Sequence, residues 1–316
     1  MADGPIPFAV YGLLFLSSAP TAQEAPNMRS RLSPSRRHWQ YIGLAHRLAL
    51  GLRRHWGSRL CILTNESARL ETEYQAWRDA CGSPDGAFDV RTIEFGGGLP
   101  QSATFHAATN KIYAFRHFAS CPGASMLLDL DILCRAPLPS AIVRIIERGV
   151  PLVLDLSEGI DQRASRDLDL LAGRSNLHRW YGGEFICGSP GFFGQLFDRV
   201  QAMIPLYHDC HASLIHQGDE MLVSAALGAM QQDGVSVCDV SNLAVIQRHW
   251  FIASNGDYRR LRDPAPCLLH LPSLKGVLDS RLQDETIARL CHRLDGLPYI
   301  VSRKAVRWLN AIFVRC

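Results

Sequence analysis

The chain has 316 residues, 47% of them hydrophobic and 20% charged, which is the composition of a globular protein with a sizeable core and excludes disorder, collagen and coiled coil. Its 33 basic and 30 acidic residues leave a net charge of +3, too balanced for a protein that lives on nucleic acid. No apolar run approaches the roughly 18 to 20 residues that a membrane-spanning helix needs.

Short apolar segments alternate with helical patterns, which predicts an α/β fold with a mixed, mostly parallel sheet flanked by helices. The predicted strands are residues 8–16, 60–63, 90–95, 126–130, 152–154, 184–187, 235–240 and 267–271. Between the first two, Ile42, Leu48 and Leu52 fall on one face of a helix. Further helices are predicted at 67–80, 103–118, 138–148, 190–203, 219–231 and 281–294.

Cysteine usage and the first apolar segment both bear on the location of the protein. The ten cysteines include no CxxC pair, which predicts reduced thiols in a cytoplasmic protein. Residues 8–18 are apolar, but an acid and no Lys or Arg precede them, so we interpret them as a first buried strand and not as a signal peptide.

The last residues, 302–316, form a basic amphipathic pattern. Val306, Leu309, Ile312 and Phe313 lie on one helical stripe, surrounded by basic residues. The pattern predicts either a terminal helix docked on the core or a helix that lies on an anionic membrane surface.

A pair of acids one residue apart interrupts the apolar segment at 125–139. Asp129 and Asp131 end a predicted buried strand, where unpaired carboxylates are costly. Residues i and i+2 of a strand share a face, so both carboxylates could hold one divalent cation. A pair of loop acids is the alternative. Phosphatases of the haloacid dehalogenase type also carry such a pair. Theirs lies near the chain start and is followed by residues other than the Ile132 and Leu133 found here.

Four segments surround this pair in a consistent order. Lys111 lies 18 residues before Asp129 in NKIYAFRHF, and WYGGEFICG, QGDEMLVSAA and LLHLPSLKG follow at 180–188, 217–226 and 268–276. They resemble the donor-contact helix, the N-x-G strand, the D-Q helix start and the H-x-x-G-x-x-K-P motif of GT-A nucleotide-sugar glycosyltransferases of family 8, the glycogenin and lipooligosaccharide galactosyltransferase type.

The chain departs from these motifs at several positions. Gly182-Gly183-Glu184 replaces the N-x-G pattern, and Glu220 stands where Gln is common. Lys275 follows His270 by only five positions, without the intervening Gly, and Gly276 stands where Pro is usual.

The resemblance implies a metal centre made by Asp129, Asp131 and His270. The metal would be Mn²⁺ or Mg²⁺ and would neutralise the diphosphate of a nucleotide sugar. A nitrogen ligand favours Mn²⁺. A histidine buried at a strand end for structural reasons is the alternative for His270.

The resemblance also implies a donor site and a reacting centre. Lys275 and Gly276 would bind the β-phosphate, and Lys111 with Asp129 would contact the nucleotide or donor sugar. Lys111 and Lys275 are two of only three lysines in the chain. Asp219, Glu220 and Glu184 would face the donor sugar or orient the substrates. Acids in a first helical turn or at a solvated strand end are the alternatives.

The sequence therefore predicts a metal-dependent enzyme that transfers a hexose from a nucleotide diphosphate sugar, a UDP-sugar, to a hydroxyl of a glycan or lipid-linked glycan. The resemblance implies retention of the anomeric configuration. Residues 1–280 would form the catalytic domain, with a nucleotide-binding N-terminal half and an acceptor-binding C-terminal half, and 281–316 a helical tail. The rivals are an inactive sugar-nucleotide or glycan-binding protein of the same fold and the phosphatase.

Overall fold

The computed structural model describes residues 7–16, 34–83, 86–96, 99–100, 103, 106–158, 160–250, 261, 264–279, 282–295, 297 and 299–313. Its strands are β1 (Phe8–Leu13), β2 (Leu60–Thr64), β3 (Phe88–Thr92), β4 (Ala124–Leu128), β5 (Ile132–Cys134), β6 (Leu152–Asp155), β7 (Tyr181–Gly188), β8 (Cys238–Asp239), β9 (Ile246–Arg248) and β10 (Leu268–His270). Its helices are α1 (Pro34–Trp56), α2 (Ser67–Cys81), α3 (His106–Thr109), α4 (Lys111–Ala119), α5 (Ser140–Glu147), α6 (Gln162–Ala172), α7 (Pro190–Cys210), α8 (Asp219–Gln232), α9 (Lys275–Leu278), α10 (Asp284–Asp295) and α11 (Tyr299–Phe313).

The main sheet has seven strands in the order β3-β2-β1-β4-β7-β6-β8. Neighbouring strands are parallel except for β7, which runs antiparallel to both β4 and β6. The chain winds outward from β1 through β2 to β3 and then returns to place β4 on the other side of β1. Ligands of open α/β sheets bind at the carboxyl ends of strands beside such a reversal, so the end of β4 is the expected place for a site.

Alternating side chains of the central strands enter two separate hydrophobic clusters, one on each face of the sheet. Val10 and Met126 face the cluster that contains α1, while Tyr11 and Leu127 face the cluster that contains α4, α7 and α8. Both faces of the sheet are therefore covered by helices. This confirms the predicted α/β architecture with a mostly parallel sheet.

A second sheet of three strands, β5-β10-β9, lies at the end of β4. Strand β10 pairs antiparallel with β5 and parallel with β9, and its register places His270 between Ile132 and Arg248. The small sheet thus places His270 beside Ile132, the residue that follows Asp131.

Several predicted elements have different boundaries in the structure. The predicted helix 103–118 is two helices, α3 and α4, which meet at Asn110, and residues 104–105 lie outside the described ones. The strand predicted at 235–240 is reduced to Cys238–Asp239, and β7 begins before the predicted 184. Helix α6 and strand β9 were not predicted, because the first is mostly polar and the second is only three residues long.

The predicted tail is helical and packs on the core. Val306 of α11 belongs to the same buried cluster as Ile287 of α10, and the Asn310 side chain donates to the carbonyl of Ser273 at 2.6 Å. Residues 281, 296, 298 and 314–316 of this segment lie outside the described ones. None of the helices described is long and apolar enough to cross a membrane.

Asp279, which follows α9, gives the fold a pH-dependent contribution. Its side chain lies over Gly43 of α1, and burial raises its pKa to about 8, an effect that Arg47 only partly offsets. Because the native state holds the proton that the unfolded chain loses near its ordinary value of 3.8, the stability from this group is complete at low pH and is lost as the pH rises towards 8.

We expect Asp279→Asn, which cannot ionise, to match the parent protein in melting temperature near pH 4 and to exceed it by roughly 2 to 5 °C at pH 8.5. Thermal unfolding of both proteins from pH 4 to 9 measures the difference. A difference that stays constant with pH would contradict the titration of Asp279.

Candidate functional site

The two acids of the DxD pair lie in a turn at the carboxyl end of β4. The Asp129 amide donates to the carbonyl of Glu184 on β7 at 3.0 Å, and the carbonyl of Asp131 accepts from Leu271, just after β10, at 2.9 Å. Between them Leu130 packs into the core, where Gly12 leaves room for its side chain. Because residues 129–131 form a turn, strand alternation is not what brings the carboxylates together.

Three ligand atoms converge at this turn. His270 Nε2 lies 3.1 Å from Asp131 Oδ1 and 3.9 Å from Asp129 Oδ2. Among the described residues, Asp129, Asp131 and His270 form the one group of acids, histidines and cysteines whose ligand atoms all lie within 4.8 Å of one another. Two carboxylate oxygens and an imidazole nitrogen are a donor set suited to Mn²⁺, so the residues fit the predicted metal.

A lysine contacts the outer oxygen of each acid. Lys111 Nζ lies 2.6 Å from Asp129 Oδ1, and Lys275 Nζ bonds to Asp131 Oδ2. The inner oxygens, Oδ2 of Asp129 and Oδ1 of Asp131, are the ones that face His270. The lysines thereby fix the direction in which each carboxylate presents its free oxygen.

The other side of His270 rests on a buried carboxylate. Its Nδ1 lies 3.1 Å from Glu184 Oε1, and Arg248 of β9 donates from Nε to the same oxygen at 2.7 Å. Arg248 Nη2 also bonds to Glu184 Oε2 and to Glu220 Oε1. Glu184 has no exposed side-chain surface.

Asp219 and Glu220 enter the site from the first turn of α8. Asp219 Oδ2 lies 3.2 Å from Lys111 Nζ, which also donates to the carbonyl of Gly183 at 2.9 Å. The second oxygen of Glu220 accepts from the indole Nε1 of Trp180 at 2.8 Å. Lys111 therefore links the DxD turn to α8, and Arg248 links β7 to α8.

The ionisation of the site follows from these pairs. Burial alone would raise the pKa of Asp131, but Lys275 and His270 outweigh it and hold the value well below the ordinary range. Burial would likewise lower the pKa of His270, but Asp131 and Glu184 raise it to about 9. A metal ligated by Nε2 would take the place of the proton on that nitrogen.

Glu184 and Asp219 differ in their environment. Burial opposes ionisation of both, but Arg248 and His270 hold the pKa of Glu184 far below its usual range. For Asp219 burial dominates, and its pKa is raised despite the contact with Lys111. Arg248, enclosed between two carboxylates, has a raised pKa although burial opposes its charge.

The predicted site residues thus lie in one cluster, with one qualification. Gly276 is buried beside Lys275, but its amide donates to Asn310 of α11 at 3.0 Å. No sequence pattern singled out Arg248 or Tyr41, which also belong to this cluster. The Tyr41 ring lies 5.7 Å from Lys275 Nζ, and burial raises its pKa. A buried Glu184 could have signalled a cationic partner, but 30 arginines gave no means of choosing one.

A solved structure shares this architecture. The galactosyltransferase LgtC, in complex with donor and acceptor sugar analogues, aligns with a TM-score of 0.54 at 12% identity, over 92% of this chain and 98% of that one. This chain has the GT-A glycosyltransferase fold. Mouse xyloside xylosyltransferase 1 aligns with a TM-score of 0.49 at 9% identity, over 83% of this chain and 97% of that one. No protein-family model and no curated protein matches the sequence.

The close approach of β7 and α8 requires a glycine at 183. A Cβ there would lie 2.3 Å from Asp219 Oδ2 and 3.2 Å from Glu220 Cγ. We expect Gly183→Ala to displace Asp219 and lower the free energy of unfolding by about 1 to 3 kcal/mol in urea denaturation.

Gly194→Ala in α7 is the matched control, because its Cβ would meet only Ala119 Cβ at 3.7 Å. Alanine favours a helix interior over glycine by up to about 1 kcal/mol, so this variant should be at least as stable as the parent. Equal stability of the two variants would contradict the tight packing at Gly183.

Proposed function

We propose that the protein is a metal-dependent glycosyltransferase that moves a hexose from a nucleotide diphosphate sugar, a UDP-sugar, to a hydroxyl of a glycan. The observation that carries the proposal is the convergence of Asp129, Asp131 and His270, flanked by Lys111 and Lys275, at the reversal point of the sheet. The GT-A fold supports it, since the same architecture occurs in LgtC, a galactosyltransferase.

Asp129, Asp131 and His270 would hold Mn²⁺ or Mg²⁺, which supplies Lewis-acid neutralisation of the departing diphosphate. Lys275 would donate to the β-phosphate, because its ammonium already lies at the edge of the metal ligands. Its neighbour Gly276 would contribute by allowing close approach of the backbone, and not through its amide, which is bonded to Asn310.

The reacting centre would lie between the DxD turn and the start of α8. Asp219 would accept hydrogen bonds from donor-sugar hydroxyls, and Lys111 would hold Asp219 and Asp129 at a fixed separation. Glu220 would help to orient the substrates from the same helical turn. Transfer with retention through front-face departure of the leaving group would need no general base with a pKa near neutrality, because the departing diphosphate would itself take the proton of the acceptor hydroxyl.

Two rivals make different predictions. An inactive binding protein of the same fold would bind a sugar nucleotide without consuming it. A DxD phosphatase would release phosphate from simple phosphomonoesters. Incubation with UDP-hexoses and with p-nitrophenyl phosphate separates the three, because only a transferase releases UDP and a free or transferred hexose.

We expect UDP together with Mn²⁺ to raise the melting temperature by about 3 to 6 °C at saturation, since a ligand that binds only the native state stabilises it by mass action. GDP and CMP should give smaller shifts. Asp131→Asn should abolish the combined shift, because it removes a carboxylate from the metal centre and from Lys275.

Asp89→Asn is the matched control, since Asp89 is an exposed acid paired only with Arg59 among the contacts of the described residues. It should retain the shift of the parent. No shift with any nucleotide and metal, or a shift that Asp131→Asn leaves intact, would contradict the proposed donor site.

The acceptor is proposed to be a lipid-linked glycan. The protein would lie in the cytoplasm and reach this acceptor by peripheral contact with the inner face of an anionic membrane. Support comes from α11, whose Trp308 is 65% exposed and whose Val301 and Ile312 are also exposed. Lys304 and Arg307 lie exposed on the same helix. Exposed apolar and cationic side chains together are the pattern of helices that lie on anionic lipid.

Substitution of Trp308, Lys304 and Arg307 by Ser, Gln and Gln should weaken the affinity for vesicles containing phosphatidylglycerol, measured by co-sedimentation, by about 30-fold or more, since each of the two cations contributes on the order of 1 kcal/mol near such a surface. The control is Arg59→Gln with Arg199→Gln, two cations of other elements with comparably exposed side chains. Equal sedimentation of both variants would contradict membrane contact through α11.

A further inference from the structure

Glu184 lies behind His270, away from the ligand atoms of the metal centre. Its Oε1 is 3.1 Å from His270 Nδ1, and the other ring nitrogen, Nε2, faces Asp129 and Asp131. A neutral imidazole carries one proton, so an Nδ1–H that donates to Glu184 leaves the lone pair of Nε2 directed at the metal. The arrangement is that of a carboxylate–histidine–metal triad.

Both oxygens of Glu184 are already engaged. Oε1 accepts from Arg248 Nε as well as from His270, and Oε2 accepts from Arg248 Nη2. With no exposed side-chain surface, this carboxylate cannot contact a substrate. Its geometry therefore suits a role that acts through His270.

Arg248 holds Glu184 and is itself held. It lies opposite His270 in the β9–β10 pair, so the same backbone register fixes the cation and the metal ligand. Its Nη2 reaches beyond Glu184 to Glu220, and the second oxygen of Glu220 accepts from Trp180. A buried carboxylate needs such a partner, because an unpaired one would favour its protonated form and donate instead of accept.

Gly182 completes the arrangement from β7. A Cβ at this position would lie 2.4 Å from Glu184 Oε2 and 2.9 Å from Leu156 Cδ1. The Gly182-Gly183-Glu184 segment thus combines a carboxylate with the room that it and the α8 acids need.

We propose that Glu184 and Arg248 are positioning residues that set the tautomer and ring orientation of His270 for metal binding, an inference that rests on the metal centre of the proposed function. Glu184 then has no direct part in the transfer step. Its loss lowers metal affinity, and a high metal concentration restores the activity that the loss removes.

The test is titration of the full-length protein with Mn²⁺, following the electron paramagnetic resonance signal of the free ion. Glu184→Gln should weaken the affinity by about 10- to 100-fold, the usual effect of removing a carboxylate behind a metal-bound histidine. Arg248→Lys should give a smaller loss, since an ammonium still pairs with Glu184 but cannot reproduce the paired donation to both of its oxygens.

Glu220→Gln is the matched control. Glu220 is also a carboxylate bonded to Arg248, with only 16% of its side chain exposed, but none of the hydrogen bonds described for its side chain joins it to His270. The Mn²⁺ affinity of this variant should stay within about twofold of that of the parent, because the variant keeps the carboxylate behind His270.

In UDP-hexose hydrolysis, Glu184→Gln should show a raised KM for Mn²⁺ and nearly the parent kcat at saturating metal.

Two further measurements guard against unfolding of Glu184→Gln. Gly182→Ala displaces the carboxylate while keeping every charge, and should also weaken Mn²⁺ binding. In the unaltered protein loaded with Zn²⁺ as a diamagnetic probe, nitrogen-15 NMR should show the proton of His270 on Nδ1. A proton on Nε2, or parental affinity in folded Glu184→Gln, would overturn the inference.

The outcomes separate this inference from the proposed function. If the unaltered protein binds no Mn²⁺, or if Asp131→Asn binds it as tightly as the parent, the metal centre itself is wrong. If Asp131→Asn loses the metal while Glu184→Gln and Gly182→Ala retain it, only the positioning role is overturned.

Discussion

The site depends on the cost of removing carboxylates from water. Five acids meet at the carboxyl end of β4: Asp131, Glu184 and Asp219 are buried, and Asp129 and Glu220 are partly buried. Isolated burial of a carboxylate would cost several kcal/mol. The fold meets this cost by alternating acids with cations. Lys111 joins Asp129 to Asp219, Lys275 bonds to Asp131, and Arg248 joins Glu184 to Glu220.

Each cation comes from a different part of the fold, so the alternation ties the elements together. Lys111 opens α4, Arg248 ends β9 and Lys275 opens α9. His270, at the end of β10, contacts Asp131 with one ring nitrogen and Glu184 with the other. Removing one partner leaves another charge unpaired, so we expect a single substitution here to affect several elements at once.

The direction of each contact matters as much as its energy. The lysines contact the outer oxygens of Asp129 and Asp131, and Glu184 contacts the far nitrogen of His270. The three inner atoms are thereby held towards a common point before any ligand arrives. Preorganisation of this kind removes part of the cost of ordering side chains when a ligand binds. The small sheet is what makes it possible, since its register aligns His270 with both Ile132 and Arg248.

The sequence by itself determined the α/β class and the end of β4 at the DxD pair, and the resemblance to family-8 glycosyltransferases singled out Lys111, Asp219, His270 and Lys275. These features are readable because hydrophobic periodicity is local and because charged residues in apolar segments are conspicuous. The identities of the groups were therefore available before their geometry. The sequence argument for why the two acids meet, strand alternation, was wrong, since a turn brings them together.

Only the tertiary structure decided which cation serves which acid. Arg248 is one of 30 arginines and lies on a three-residue strand with no periodic signal, yet it pairs with Glu184, 64 residues away. The two meet because β9 joins β10 in the small sheet while β7 joins β4 in the large one. Pairing between distant strands is set by packing of the whole chain, which no local pattern encodes.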